Sequence, residues 1–352
     1  MPESDPPPQH HRRPRYRGTH PRRFEEKYKE LDAEHYPDLV EHVKSRGQTP
    51  AGQHVPILVE ETLAALAPAP GQRGVDCTLG FGGHSARFLE RLHPGGQLLA
   101  LDVDPLELPR TEARLRALGH GEEALHVRRT NFAALTSTLH ELGWSDGVDF
   151  LFADLGVSSM QIDDPARGFT FKLDGPLDMR MNPARGLSAA QWLERADPAT
   201  LLRALQDDSD EPHALRIARG LCDERGKLHT TLELAQAVRR ALPPRLEAEE
   251  IERSVRRVFQ ALRIEVNDEF GVLDSLLRQL PGALRPGGRV ALLTFHSGED
   301  RRVKRAFEQG LAAGAFEQLS EGVLRPSPAE RRANPRSTPA KLRWARRTRA
   351  SD

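Results

Sequence analysis

Cysteine is nearly absent from this chain. Its 352 residues include only Cys77 and Cys222, too few for a disulfide framework or a zinc cluster and in keeping with a reducing, cytoplasmic setting. Long apolar runs are missing as well. No stretch approaches the roughly 18 residues that a membrane span requires. The N-terminal MPESDPPPQHHRRPRYRG has no apolar centre and does not read as a secretory signal. Net charge is absent too: 51 basic residues balance 51 acidic ones, which excludes a uniformly basic nucleic-acid binder. That average conceals a pattern. Residues 1–23 carry six basic and two acidic side chains, and residues 325–352 carry nine and two. The remainder is an acidic body, and such asymmetry leaves local basic contacts to a nucleic acid open.

What is present is an alternation. Residues 1–50 form a Pro-, Arg- and His-rich extension, expected to be largely disordered, with one short polar helix after the first 23 residues. From His54 onward the pattern changes. VPILVEETLAAL has helical spacing. GVDCT, QLLALDVD, LHVRRTNF and VDFLFADLG read as strands, separated by the helix-like SARFLERL, PLELPRTEARLRAL and FAALTSTLHEL. Strands alternating with helices imply βαβ units and a doubly wound parallel sheet. The alternation stops from about Asp163 to Asn267, where SAAQWLERA, PATLLRALQ, HALRIARGLCDE, TLELAQAVRRAL and EIERSVRRVFQALRIEV are each amphipathic. We expect an all-helical module over residues 165–267, inserted into a sheet domain made of residues 51–164 and 268–352. The alternation resumes with the helix FGVLDSLLRQL, the strand GGRVALLTFHS and the helix DRRVKRAFEQ. A basic segment containing the strand-like KLRWARR ends the chain.

Five segments carry candidate chemistry. DCTLGFGGHS (residues 76–85) lies between a strand and a helix, where glycines let a ligand approach the backbone. A dinucleotide fingerprint needs a third glycine where Ser85 stands, so D-x-x-x-G-x-G-G suits an S-adenosylmethionine loop better. An ordinary strand-to-helix turn is the plain alternative. Asp102 ends the second strand 20 residues after Gly82, the usual distance to an acid that accepts from ribose hydroxyls. Its neighbour Asp104, before Pro105, suits a helix cap. Phe132 follows the third strand and either packs on an adenine ring or starts the next helix as a core residue. Asp154 ends the fourth strand, where amino-methyltransferases keep the group that holds the target amine. Gly156, Ser158, Ser159 and Gln161 follow it, and the GPLDMRMN loop comes soon after. His296, in TFHSGEDR, is either an acid–base group or a cap. No serine or acid near it completes a hydrolytic triad, and no HExxH spacing marks a metal site.

Taken together, HVPILVEE, DCTLGFGGHS, LDVDP, DLGVSSMQIDDPARGFTF, GPLDMRMN, FQALRIEVNDE, FHSGEDR and NPRSTPAKLR resemble, in order, the bacterial small-subunit ribosomal RNA cytosine-N4 methyltransferases, the family called RsmH or MraW. The resemblance covers about residues 53–345. It implies a class I S-adenosylmethionine-dependent methyltransferase fold, Rossmann-like, with a helical substrate domain inserted after the fourth strand. It implies methyl transfer to N4 of a cytidine in the decoding centre (P site) of 16S rRNA in the small ribosomal subunit. Cofactor residues carried over from the family are Gly82, Gly83, His84, Asp102, Phe132, Asp154 and Gln161, with Asp154 also the catalytic candidate. No metal and no membrane are implied, and a homodimer is left open. The chain departs from the family pattern at Cys77, Leu79, Met160, Gly298, Thr338 and Pro339. Candidate RNA contacts are Arg180, the arginines from Arg253 to Arg263 and the basic C-terminal segment, although spaced arginines on a helix also read as a solvated face. A methyltransferase acting on another amine and a non-catalytic RNA-binding factor on the same fold are the competing readings.

Overall fold

The computed structural model describes residues 56–350, so the expectations for the N-terminal extension lie outside the described residues. Seven strands are present: β1 (Arg73–Asp76), β2 (Gln97–Asp102), β3 (Leu125–Arg129), β4 (Val148–Asp154), β5 (Leu284–Thr294), β6 (Phe316–Leu319) and β7 (Lys341–Arg347). They form one sheet in the order β3-β2-β1-β4-β5-β7-β6. The pairs among β1 to β5 are parallel, whereas β7 runs antiparallel to both β5 and β6.

The central strands are apolar on both sides because helices cover both faces. Leu98, Ala100, Phe150, Phe152, Ala291 and Leu293 point into one core, shared with α1 (Val59–Leu66), α2 (Gly83–Leu92) and α3 (Glu107–Ala117). Their neighbours Leu99, Leu101, Leu151, Ala153 and Leu292 point into the other, with α4 (Leu135–Glu141). That period of two is what a strand imposes. Gly74 in β1 is needed for packing, since a Cβ there would sit 2.0 Å from the Phe150 ring.

After β4 come the short helix α5 (Ser159–Asp163) and then α6 (Ala189–Arg195), α7 (Pro198–Asp207), α8 (Ala214–Asp223), α9 (Thr231–Ala241) and α10 (Ala248–Asn267). These helices build a third core of their own, from Phe169 to Leu262. Strand-type pairing there, among the described residues, is limited to a bridge between Pro176 and Thr230. The described residues still make up one compact unit. The return to the sheet runs through α11 (Glu269–Ala283), then β5 and α12 (Ser297–Ala312).

Two features differ from expectation. Strand β5 starts at Leu284, ahead of the GGRV run, and its pairing with β4 shifts register between Val148 and Phe150. Strand β6 and the helix α13 (Pro328–Ala333) were not expected. The strand-like KLRWARR is β7, which lies inside the sheet with Leu342 and Ala345 fully buried. Among the described residues, no helix is long and apolar enough to cross a membrane.

Candidate active site

The strand order reverses between β1 and β4, and a crevice opens beyond their carboxyl ends, where ligands bind in sheets of this kind. Here it is a cleft of about 440 Å³. Turns after each of the first five strands line it, and so do Arg263 and Asn267 from the end of the helical module and Glu269 from the start of α11.

The loop after β1 is tied down from beneath. The buried Asp76 carboxylate accepts from the Ser85 hydroxyl at 2.6 Å and from the Thr78 N–H at 3.0 Å. Burial, and to a lesser degree Asp102, pushes Asp76 up to about 6 despite these bonds. Gly82 is the N-cap of α2 and sits at φ +78. A Cβ there would lie 2.7 Å from Thr111, so the position is closed to other residues on two counts. The Thr111 hydroxyl in turn donates to the Gly80 carbonyl at 2.6 Å.

Asp102, at the end of β2, accepts from the Gly80 N–H (2.7 Å) and the Asp104 N–H (2.9 Å). A carboxylate offers about four lone-pair sites, so acceptor capacity remains for a ligand in the cleft. Asp104 is spent elsewhere. One of its oxygens caps α3 through the N–H groups of Leu106 and Glu107, and the other accepts from Gln161 and pairs with the buried Arg167 at 2.8 Å. Arg167 also donates to the carbonyls of Arg180 and Met181. This network ties the end of β2 to both loops that follow β4.

Asp154 ends β4 against the cleft. Its N–H donates to the Thr78 hydroxyl at 2.6 Å. Its carboxyl is pushed up to about 8, mainly by burial and then by the negative charges of Asp76 and Glu299. Beyond it, Gly156 turns at φ +95 and Ser158 opens α5 with a reciprocal cap to Gln161. The segments 165–168 and 175–179 then meet backbone to backbone. A Cβ on Gly168 would lie 2.4 Å from the Pro176 carbonyl. Asn267 holds the same loop, accepting from the Met181 N–H and donating to the Met179 carbonyl.

Two comparisons with known proteins bear on this geometry. Residues 51–348 match the model of the MraW methylase family. The chain belongs to the MraW methylase family. It is 48% identical over 344 residues to the ribosomal RNA small subunit methyltransferase H 1 of Lachnoclostridium phytofermentans, covering 96% of this chain and 93% of that one. It is 42% identical over 318 residues to the ribosomal RNA small subunit methyltransferase H of Thioalkalivibrio sulfidiphilus, covering 85% and 98%. Among solved structures, Aeropyrum pernix fibrillarin with bound S-adenosyl-L-methionine aligns over 81% of this chain and 74% of its own, at 11% identity and a TM-score of 0.36, too remote to bear on the site. As an MraW methylase the chain has the class I methyltransferase fold, with β7 as the antiparallel strand, and its cofactor is S-adenosylmethionine. The cleft suits that cofactor. It offers the glycine loop from Gly80 to Gly83, a carboxylate with acceptor capacity at Asp102 and an aromatic wall at Phe132.

All seven residues expected at the cofactor site line this one cleft. They differ in what they have left to offer. Phe132 packs against the core and also lines the cleft. His84 has its Nε2 3.0 Å from the Ile57 carbonyl and its ring on Phe152, which anchors the segment before α1. The Gln161 amide is engaged by Asp104 and Ser158. His296 serves as the N-cap of α12, in a reciprocal box with Glu299. Gly298, a departure from the family pattern, faces Phe270, whose ring would be 2.5 Å from a Cβ there. Sequence reasoning missed the Asp104–Arg167 pair and the supporting role of Asp76.

The candidate RNA contacts are mostly occupied. Arg180 binds Asp178 through two nitrogens, while Arg253, Arg257 and Arg263 pair with Glu249, Glu211 and Glu269. In the C-terminal segment, Lys341 and Arg343 hold Asp300, Arg346 holds Glu317 and Arg336 holds Asp163. The exposed Arg256 has no ion-pair partner among the described residues.

Proposed function

We propose that this chain transfers a methyl group from S-adenosylmethionine to N4 of a cytidine in the decoding centre of 16S rRNA, on the small ribosomal subunit and in the cytoplasm. One observation carries the reading. Asp154 is held in place through its backbone, yet its carboxylate accepts no hydrogen bond from any described residue. A fixed, unspent acceptor is what an exocyclic amine requires. The names of the curated relatives supply the ribosomal RNA.

The N4 lone pair of cytosine is delocalised into the ring and is a poor nucleophile. When bound, S-adenosylmethionine supplies an electrophilic methyl carbon whose bond to sulfur breaks with the electron pair going to sulfur. Asp154 accepts an N–H of the amine, aligns it and takes the proton that N4 sheds as its new bond to carbon forms. Positioning of this kind supplies on the order of 7–11 kcal/mol in the best cases. The base must leave its stack to reach the cleft. Methylation of a ring carbon would call for a thiolate nucleophile instead. Cys77 lines the cleft, but burial and then Asp76 push its thiol well above its ordinary range. Cys222 lies in α8, against the module core.

In this reading Gly82 and Gly83 cradle the cofactor, Asp102 accepts from its ribose hydroxyls and Phe132 packs on its adenine. His84, Asp154 and Gln161 complete the wall. Asp102→Asn keeps an acceptor for one loop N–H and removes the charge. We expect its affinity for S-adenosylmethionine, measured by calorimetry, to fall about tenfold or more, the loss of one charged hydrogen bond. Unchanged affinity would take Asp102 out of the cofactor site.

The reaction itself is tested by incubating unmodified small subunits with labelled cofactor and identifying the labelled nucleoside. N4-methylcytidine from 16S rRNA is the expected product. Label in another nucleoside, or in protein, would overturn the proposal.

A further inference from the structure

Once the cofactor loop and Asp154 are accounted for, the cleft wall still holds Arg263 from α10 and Glu269 from α11. Nε and Nη2 of Arg263 donate to the two carboxylate oxygens of Glu269, at 2.7 and 2.9 Å. The remaining arm, Nη1, donates to no described residue. The Arg263 side chain is only 17% exposed. It lies against the turn that follows Asp154, with Nη2 3.8 Å from where a Gly156 side chain would begin. Glu299, also on this wall, is already engaged by the Phe295 N–H at 2.8 Å and by His296 at 3.2 Å. An unspent acceptor and an unspent donor therefore flank one short turn, and both are fixed by their own supports.

The pairing edge of cytosine presents the N4 donor beside the N3 and O2 acceptors. A carboxylate next to a guanidinium matches that order. We propose that Arg263 binds the target base, donating from Nη1 to the O2 carbonyl of cytosine while the N4 amine meets Asp154. Glu269 is the positioning residue that holds the guanidinium plane. The inference rests on the N4-methylation reading above. It makes Arg263 a base contact, in contrast to the phosphate contact that its place in an arginine-rich helix suggests.

Arg263→Lys is the test. Lysine keeps a cation beside Glu269 but has no planar fork with one arm to spare. With small subunits as substrate, we expect kcat/KM to fall about 10- to 100-fold, the scale of losing one specific base contact. Affinity for S-adenosylmethionine should stay within about twofold, because Arg263 does not touch the cofactor in this proposal. A purely structural role would move the melting temperature and cofactor affinity together with kcat/KM. The proposal is overturned if Arg263→Lys keeps wild-type kcat/KM, or if its loss is matched by an equal loss of cofactor affinity. Glu269→Gln provides a second variant should the first fail to fold. It loosens one side of the fork, and kcat/KM should fall several-fold at constant cofactor affinity; an unchanged value overturns the proposal as well. Failure of the underlying reading is distinguishable, because the wild-type chain would then yield no N4-methylcytidine at all.

Discussion

Asp154→Asn is expected to lose transfer by a factor on the order of 10²–10⁴, the usual contribution of a positioned proton acceptor, and to be more stable than the wild type. In the folded chain the Asp154 carboxyl is pushed up to about 8 from an ordinary 3.8, by burial and then by Asp76 and Glu299. A raised acid binds its proton more tightly when folded than when unfolded. Its ionisation therefore costs stability, by an amount that is absent below about pH 4 and grows as the pH rises towards 8. Asparagine carries no charge to bury. The variant should gain on the order of 1–3 kcal/mol at pH 8 and almost nothing at pH 4. Denaturant melts at the two pH values check the sign, and methylation assays check the loss. A variant with near-normal turnover would remove Asp154 from the reaction, and calorimetry on the same protein separates a lost cofactor from a lost reaction. The positive sulfonium favours the ionised carboxylate, so cofactor affinity in the wild type should rise with pH over the same window.

Deleting residues 325–352 should leave a chain that does not fold. The sequence offers this basic segment as a candidate RNA contact and reads KLRWARR within it as a strand. In the structure it contributes β7, paired with β5 over six residues from Arg289 to Thr294. Leu342 and Ala345 are fully buried, and Lys341 and Arg343 hold Asp300. Burying one leucine side chain is worth about 1.5–3 kcal/mol, and with the strand goes the whole edge of the sheet. Set against a total stability of about 5–15 kcal/mol, the loss is decisive. Circular dichroism and solubility of the truncated chain check this. A truncated chain that is folded and cooperative would mean that β7 is dispensable.

Much of the fold is legible in the sequence because the first four strands and their helices obey local periods. Leu98 to Leu101 and Phe150 to Ala153 are apolar throughout because both faces of the sheet are covered. The five module helices are amphipathic for the same kind of reason. What stays hidden depends on distance along the chain. Asp104 and Arg167 are 63 residues apart and meet only when the loops after β2 and β4 close over each other. Strand β6 has four residues with two exposed in the middle, too short for a period to show. The charge of the C-terminal segment suggests an RNA partner, yet several of its cations are satisfied within the fold. The site residues were legible as a set because they follow strand ends. Their individual roles were not, because hydrogen bonds decide whether a group such as Gln161 or His84 has anything left for a ligand.

The strand order also governs when the molecule can be completed. Among the described residues, strand β6 pairs with β7 alone, and β7 follows β6 in the chain yet sits between β5 and β6. While the chain is still emerging, β6 has no partner and the far side of β5 lies open. Domains generally begin to fold from their N-terminal end during synthesis, so β1 to β5 can pair early. The sheet is complete only once β7 has joined β5 and β6. A chain interrupted before β7 would carry β5 as an exposed edge strand, the template for pairing with another chain.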